Sequence, residues 1–348
     1  MCVAFPILLL PIVAFREIVR LLDLGEIIKL SLCSRKCKTL VKTQHLRPML
    51  TIGVSHLISI TIKRCAKQPK VDDTEDPNKL KFCFVDFSSF DGHVETMYWN
   101  FDGHRVPVLQ NTSNSYLIYW ENSLMGTQTV TSFLTDLFNI RIDRLSLFTR
   151  EPRVSKKLAD LVMSRQDSIQ SLVYKVYHNA EEVDYVLDKC KVTDTLILGV
   201  PISPNRDIRF RLNKIQLDVP WLTIDNLIEF DCCDILIVVT KLSNQDMNRF
   251  LKSWVNGGFP RLRSLSLQLK QVEFEVLTEG LDGTVVRRDQ RRPYVLNEKE
   301  TRWISNSWDI RNNENCVASV HWYDTMYNPN KWFNIVAWPD FNGNPYEL

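Results

Sequence analysis

Cys232 and Cys233, flanked by Asp231 and Asp234, would offer a thiol nucleophile. Two acidic neighbours raise a thiol's pKa, however, and so suppress the thiolate that attacks, and the pair reads as structural. The histidines His45, His56, His93, His104, His178 and His321 could serve as bases or metal ligands, yet none is paired at ligand spacing. Nine cysteines, an odd number, include none at the two-residue spacing of zinc sites. They read as reduced, buried small apolar residues, which suits a reducing compartment, cytoplasmic and/or nuclear. Arg287-Arg288-Asp289-Gln290-Arg291-Arg292 is the densest basic run, a pattern that serves nuclear import, nucleic-acid contact or simple solvation of a loop. Neither a GxSxG elbow nor a glycine-rich phosphate loop appears. No catalytic group, cofactor or metal is expected.

The elements that position these residues must come from a chain of 348 residues, roughly two domains' worth. With 43 basic against 41 acidic residues the formal net charge is only +2, so no global field draws the chain to nucleic acid, which is not expected as a partner. The uncharged stretch from Met1 to Phe15 lacks a preceding basic residue, is interrupted by Pro6 and Pro11, and continues in helical phase beyond Phe15. It therefore reads as folded structure and not as a signal peptide, and no segment has the length of an apolar membrane span.

From Pro11 onward, Ile12, Phe15, Val19 and Leu22 recur at helical steps. Asp23 with Glu26 forms a capping box for a second helix carrying Leu24, Ile27, Ile28 and Leu32, and Ser34 caps a third, basic one through about Lys42. Eight of the eleven residues 12–22 are apolar, where one buried face needs about three in seven. Such a unit carries more apolar surface than it can cover by itself, so the excess must meet either the rest of the chain or another protein.

Leu10-Pro11, Phe15, Ile18-Val19, Leu22-Asp23 and Leu30-Ser31-Leu32-Cys33 resemble the F-box. The resemblance implies a small helical module that docks on a Skp-type adaptor and, through it, on a cullin-RING ubiquitin ligase. It assigns adaptor contact to Leu10, Pro11, Phe15, Ile18, Val19, Leu22, Leu30 and Cys33. Two positions depart from the pattern: Val13 stands where an acidic residue is usual, and Cys37 where an aromatic is common.

Residues 43–62 read as a helix or strand of weak pattern, and Lys63 to Lys79 as a polar linker. Leu80 to Phe87 and His93 to Phe101 alternate about Asp91-Gly92 like a hairpin, with Asp102-Gly103 as a second turn, and Thr129 can cap a helix through Phe138. An apolar-x-x-apolar-x-apolar pattern then recurs at Ile142/Leu145/Leu147, Ile169/Leu172/Tyr174, Leu212/Ile215/Leu217, Cys233/Leu236/Val238 and Leu262/Leu265/Leu267, with a displaced copy at Leu196/Leu198. Such periods predict an α/β fold in which the N-terminal three-helix module precedes an irregular leucine-rich-repeat-like solenoid. An ordinary doubly wound sheet is the alternative. Ser243 with Asp246 caps a helix ended by Asn256-Gly257-Gly258. Leu222-Thr223-Ile224-Asp225-Asn226-Leu227, then Asn248 to Trp254 and Gly258-Phe259-Pro260-Arg261-Leu262, resemble the F-box-associated domain of the second type, abundant in nematodes.

Residues 301–348 hold ten aromatics, among them Trp303, Trp308, Trp322, Trp332 and Trp338. They fit either a β-rich cap closing the end of the sheet or a substrate-binding platform. The expected organisation is an F-box over 1–45, connector and linker over 46–79, a β/α part over 80–140, repeats over 141–275 and the aromatic cap over 276–348. The resemblances together imply a non-catalytic substrate receptor of a Skp-cullin-F-box ligase, capturing a protein substrate the sequence does not name. The alternatives are a scaffold without a ligase link and a hydrolase on an α/β sheet.

Overall fold

In the computed structural model the N-terminal apolar stretch breaks into a 3-10 turn (Ile7–Leu9) and three helices, α1 (Ile12–Leu21), α2 (Leu24–Cys33) and α3 (Arg35–Lys42). The breaks fall where side chains satisfy orphan backbone donors. Asp23 accepts from the Glu26 N–H at 2.7 Å while Glu26 accepts from the Asp23 N–H at 2.9 Å, and Ser34 Oγ accepts from the Cys37 N–H at 3.1 Å. Pro11 occupies the N-cap of α1. The structure describes residues 7–64, 78–91, 96–149, 151–175, 180–200, 209–281, 285–298, 300–325 and 328–346. Cys2, Cys65, His93, His178, Gly92 and most of the polar linker lie outside them. The chain divides into two units, Met1–Ile169 and Gln170–Leu348.

In the first unit the helices are followed by β1 (Met49–Val54), β2 (Ile58–Lys63), β3 (Lys79–Asp86), β4 (Met97–Phe101), β5 (His104–Thr112), β6 (Ser115–Trp120), α4 (Ser123–Phe138), β7 (Arg144–Leu147) and α5 (Pro152–Met163). Strand order is β7-β1-β2-β3-β6-β5-β4. The connector is thus an antiparallel hairpin, β1 with β2, whose alternate residues Leu50, Ile52, Ile60 and Ile62 are fully buried. Expectation and structure part at β3, which pairs with β2 and β6 and not with β4. The Asp102-Gly103 turn does close a hairpin, β4 with β5, at φ of 49° and 101°. Helix α4 starts six residues before Thr129, because Asn122 caps it by accepting from Leu124 and Met125; the Thr129 hydroxyl donates within the helix to Met125. Gly126 lets this helix press on Trp120, since a Cβ there would meet the indole at 2.8 Å.

The second unit contains β8 (Ile169–Tyr174), α6 (Ala180–Lys189), β9 (Val192–Leu198), β10 (Lys214–Asp218), α7 (Ile224–Ile228), β11 (Asp234–Val239), α8 (Asn244–Val255), β12 (Ser264–Leu269), α9 (Phe274–Thr278), β13 (Val285–Arg288), β14 (Arg292–Asn297), β15 (Glu300–Ile304), β16 (Ser307–Arg311), β17 (Val317–Thr325) and β18 (Asn328–Ala337). Strand order here is β8-β9-β10-β11-β12-β18-β17-β16-β13, and β14 pairs only with β15. The repeat signal marks real strands, with β9 to β12 parallel, but they form neither a closed nor a solenoid sheet. The units are unequal: α7 has five residues, α8 twelve, and β18 joins β12 antiparallel, which ends the parallel run. The tail strands therefore extend the sheet. One motif is a residue out of phase: the buried set is Cys232, just before β11, with Ile235 and Ile237 on it, not Cys233, Leu236 and Val238. Asp-Ile-Leu-Ile-Val-Val is apolar on both faces, so alternation alone could not choose.

Candidate functional site

The N-terminal helices have a closed interior and an open exterior. Phe15, Val19, Leu24, Ile27, Ile28, Cys37 and Val41 are buried. At about 100° per residue, Phe15, Ile18, Val19 and Leu22 fall on one side of α1, with Val13 and Leu21 on the other. That other side is exposed and mixed: Val13 is 67% and Leu21 87% exposed, beside the exposed Arg16 and the Arg20–Glu17 ion pair at 2.7 Å, while Leu9, 78% exposed, lies in the turn before the helix. Large apolar side chains left this exposed on a small helical module make it a candidate interaction surface, with charged side chains interleaved.

The inner side is fixed to the rest of its unit. Gly25 packs near Leu80 and the Tyr116 hydroxyl, and the Lys29 ammonium lies 5.4 Å from the Tyr116 ring centre. Lys38 pairs with Asp102 at 3.1 Å and with Asp136 at 3.2 Å; Lys42 also reaches Asp136. These ammonium contacts, Lys42 foremost, hold the Asp136 carboxyl below its ordinary range. Arg64 donates to the Leu22 carbonyl at 3.0 Å, where the last turn of α1 leaves acceptors free. Burial pulls the Arg64 pKa down, and Asp23 opposes that.

Of the residues assigned to adaptor contact, Pro11 and Cys33 are exposed, Leu10, Ile18, Leu22 and Leu30 are half-buried, and Phe15 and Val19 lie inside. Leu9 and Leu21 were not singled out individually by the sequence motifs, although the apolar excess over residues 12–22 signalled Leu21; Ile12 was read in the helical stripe and Val13 as a departure from the motif. The two departures from the motif fall on opposite sides. Val13 adds to the open patch, while Cys37 is buried among the helices.

The five C-terminal tryptophans do not form one surface. Trp338 is buried, donates from Nε1 to Ser319 Oγ at 3.0 Å and meets Tyr294 edge-on at 5.1 Å. Tyr294 is itself fully buried, its hydroxyl 3.0 Å from the carbonyls of Arg263 and Ala337, and burial raises its pKa. Trp308 and Trp322 stack at 4.6 Å with planes 2° apart, and Phe274 lies 4.4 Å from Trp308. Trp332 is half-buried, and Trp303 is 56% exposed beneath Arg291. The basic run is split as well. Arg292 is drawn inward to Asp309 at 2.9 Å, a buried pair that keeps the guanidinium charged despite desolvation, while Arg287 faces solvent opposite Asp289. Sequence proximity gave no sign of that division, because Asp309 comes from a later strand.

The groups that might do chemistry are muted. Cys232 is buried, its thiol donates to the Phe210 carbonyl, and its pKa is pushed up to about 11, chiefly by burial and secondarily by Cys233 and Asp231. The acidic neighbours are thus the smaller cause. His321 is buried and its pKa falls to about 4, by desolvation first and then Arg302. Among the described residues no cluster of three or more His, Cys, Asp or Glu is placed to hold a metal ion, and no helix is long and apolar enough to cross a membrane.

Residues 7–48 match the F-box domain model and residues 204–267 the model described as F-box associated. This chain carries an F-box and an F-box-associated domain. Proteins of this kind are typically adaptors and not catalysts. Its curated relatives include the Skn-1 dependent zygotic transcript 15 protein of Caenorhabditis elegans, 21% identical over 208 residues, covering 56% of this chain and 54% of that protein. The F-box associated domain-containing protein sdz-33 of the same organism is 23% identical over 180 residues, covering 47% of this chain and 55% of that one. The chain thus spans about half the length of the curated relatives it matches. No solved structure matches it.

Proposed function

We propose that this F-box protein is a substrate receptor of a Skp-cullin-F-box ubiquitin ligase, working without catalytic chemistry of its own in the cytoplasm and/or nucleus. Its F-box, over 1–45, docks on a Skp-type adaptor; the strands and repeats over 80–275 and the aromatic segment over 276–348 capture a protein. The mechanism is proximity. Holding a substrate beside a ubiquitin-loaded enzyme raises its effective concentration and orients the reacting lysine.

The observation that carries the proposal is that α1 buries Phe15 and Val19 inward while Val13 and Leu21 on its other side, and Leu9 in the turn before it, stay open. In the proposed complex Leu10, Pro11, Ile18, Leu22, Leu30 and Cys33 supply accessible contact atoms at the margins of that open surface, and Phe15 and Val19 hold the helices in place from within. Trp303 and the Trp308–Trp322 stack are the proposed substrate contacts among the aromatics; Trp332 and Trp338 support them. Co-expression with a Skp-type adaptor is the test. A stoichiometric complex that Pro11→Ala with Leu22→Asp disperses supports the proposal. A wild-type chain that elutes alone and soluble opposes it and favours the scaffold alternative.

A further inference from the structure

We infer that β13 is an open sheet edge that receives an extended acidic segment of the captured protein as an added strand. The inference rests on the substrate-receptor reading for the identity of the occupant.

In the second unit's strand order β13 is terminal: it pairs with β16 from Val285↔Ile310 to Arg288↔Ser307, and among the described residues no strand lies on its other side. An edge of this kind presents unpaired backbone N–H and C=O groups, which are a template for one more strand. The edge residues are poor at hiding it. Val286 is 48% exposed, an apolar side chain at the outermost position of the sheet.

Charge selects the occupant. Arg287 and Arg288 lie on this strand and Arg291 follows it in sequence, while Arg292 is drawn to the buried Asp309 at 2.9 Å. Arg287 is opposed only by Asp289, in a pair exposed on both sides, and its guanidinium lies 5.7 Å from the ring centre of Trp308. Arg288 is half-buried, with its Nε turned inward 3.8 Å from Asp309. Arg291 lies over the Trp303 ring at 4.5 Å. Strand alternation puts Arg287 on the face of the Trp308–Trp322 stack and Val286 with Arg288 on the other. An added strand of alternating acidic and apolar residues would gain ladder hydrogen bonds from the edge. Its carboxylates would find guanidinium groups, and its apolar side chains Val286 or the indoles.

Fluorescence anisotropy on the full chain, with a labelled nonapeptide alternating glutamate and valine, tests this. Saturable binding is expected, weakened about tenfold or more when alternate peptide nitrogens are methylated or glutamates become lysines, because one route removes ladder bonds and the other charge pairing. Arg287→Glu with Arg291→Glu should lose about tenfold in affinity, and Arg287→Gln a smaller part, with the thermal midpoint and adaptor co-purification unchanged; both residues are exposed. Equal binding of the lysine or methylated peptide, stronger binding of a single-stranded oligothymidine, or no saturable binding overturns the inference. Adaptor co-purification on the same samples reports separately on the ligase reading.

Discussion

The N-terminal helices are unusually apolar and the C-terminal segment unusually aromatic, and they dispose of that surface in opposite ways. In the helices, one face is buried and satisfied while Leu9, Val13 and Leu21 remain outside. In the C-terminal segment, Trp338 and Tyr294 turn inward and Trp308 and Trp322 cover one another, and among the described tryptophans Trp303 is the exposed one, with Tyr323 and Phe341 also open. The difference lies in geometry. A short helix with apolar residues beyond its buried face has only one side against its neighbours, whereas paired strands send alternate residues into a layer that β14 and β15 cover. The cluster of Tyr294, Leu296, Ile304, Val317, Val336 and Trp338 is that covered layer.

The largest effects expected from this contrast are in the interiors. Phe15→Ala and Trp338→Ala should each cost about 3–5 kcal/mol, read as a lowered denaturation midpoint, since each removes a buried aromatic. A negligible cost at Phe15 would mean that α1 is not anchored as described. Next comes the pH dependence of the tail. The folded pKa of His321 is depressed to about 4 from 6.5, so the unfolded chain binds the extra proton first as pH falls. Stability is complete above pH 6.5 and declines by roughly 3 kcal/mol as pH drops toward 4. His321→Gln should flatten this component in urea titrations between those values; an unchanged slope would place the cause elsewhere. The smallest effect belongs to the exposed member: Trp303→Ala should change stability by no more than about 0.5 kcal/mol while weakening substrate capture. A large loss of stability there would erase the distinction between the open and covered aromatics.

Local signals in this sequence were legible wherever a side chain acts on its own backbone. Asp23 with Glu26, Ser34, and Ser243 with Asp246 cap helices as their spacing indicates, and Asp102-Gly103 turns a hairpin. Partnership between distant strands was not legible: nothing near β3 shows that its neighbours are β2 and β6, and the apolar run of β11 reads equally well in either phase. The same limit applied to the candidate site. Excess apolar content revealed that the helices are undercovered, but which residues stay open depends on where α2 and α3 dock against β3 and α4, a tertiary fact. The basic run likewise read as one patch until Asp309 drew Arg292 inside.

The central claim is that the open side of α1 is covered by an adaptor, and calorimetric titration of a purified Skp-type adaptor into the full chain tests it most directly. With Leu9→Asp and Leu21→Asp, two exposed positions, affinity should fall about a hundredfold or more while the denaturation midpoint holds, because the changes touch the patch and not the core. Adaptor binding that is absent in the wild-type chain, or that survives both aspartates undiminished, would contradict the account.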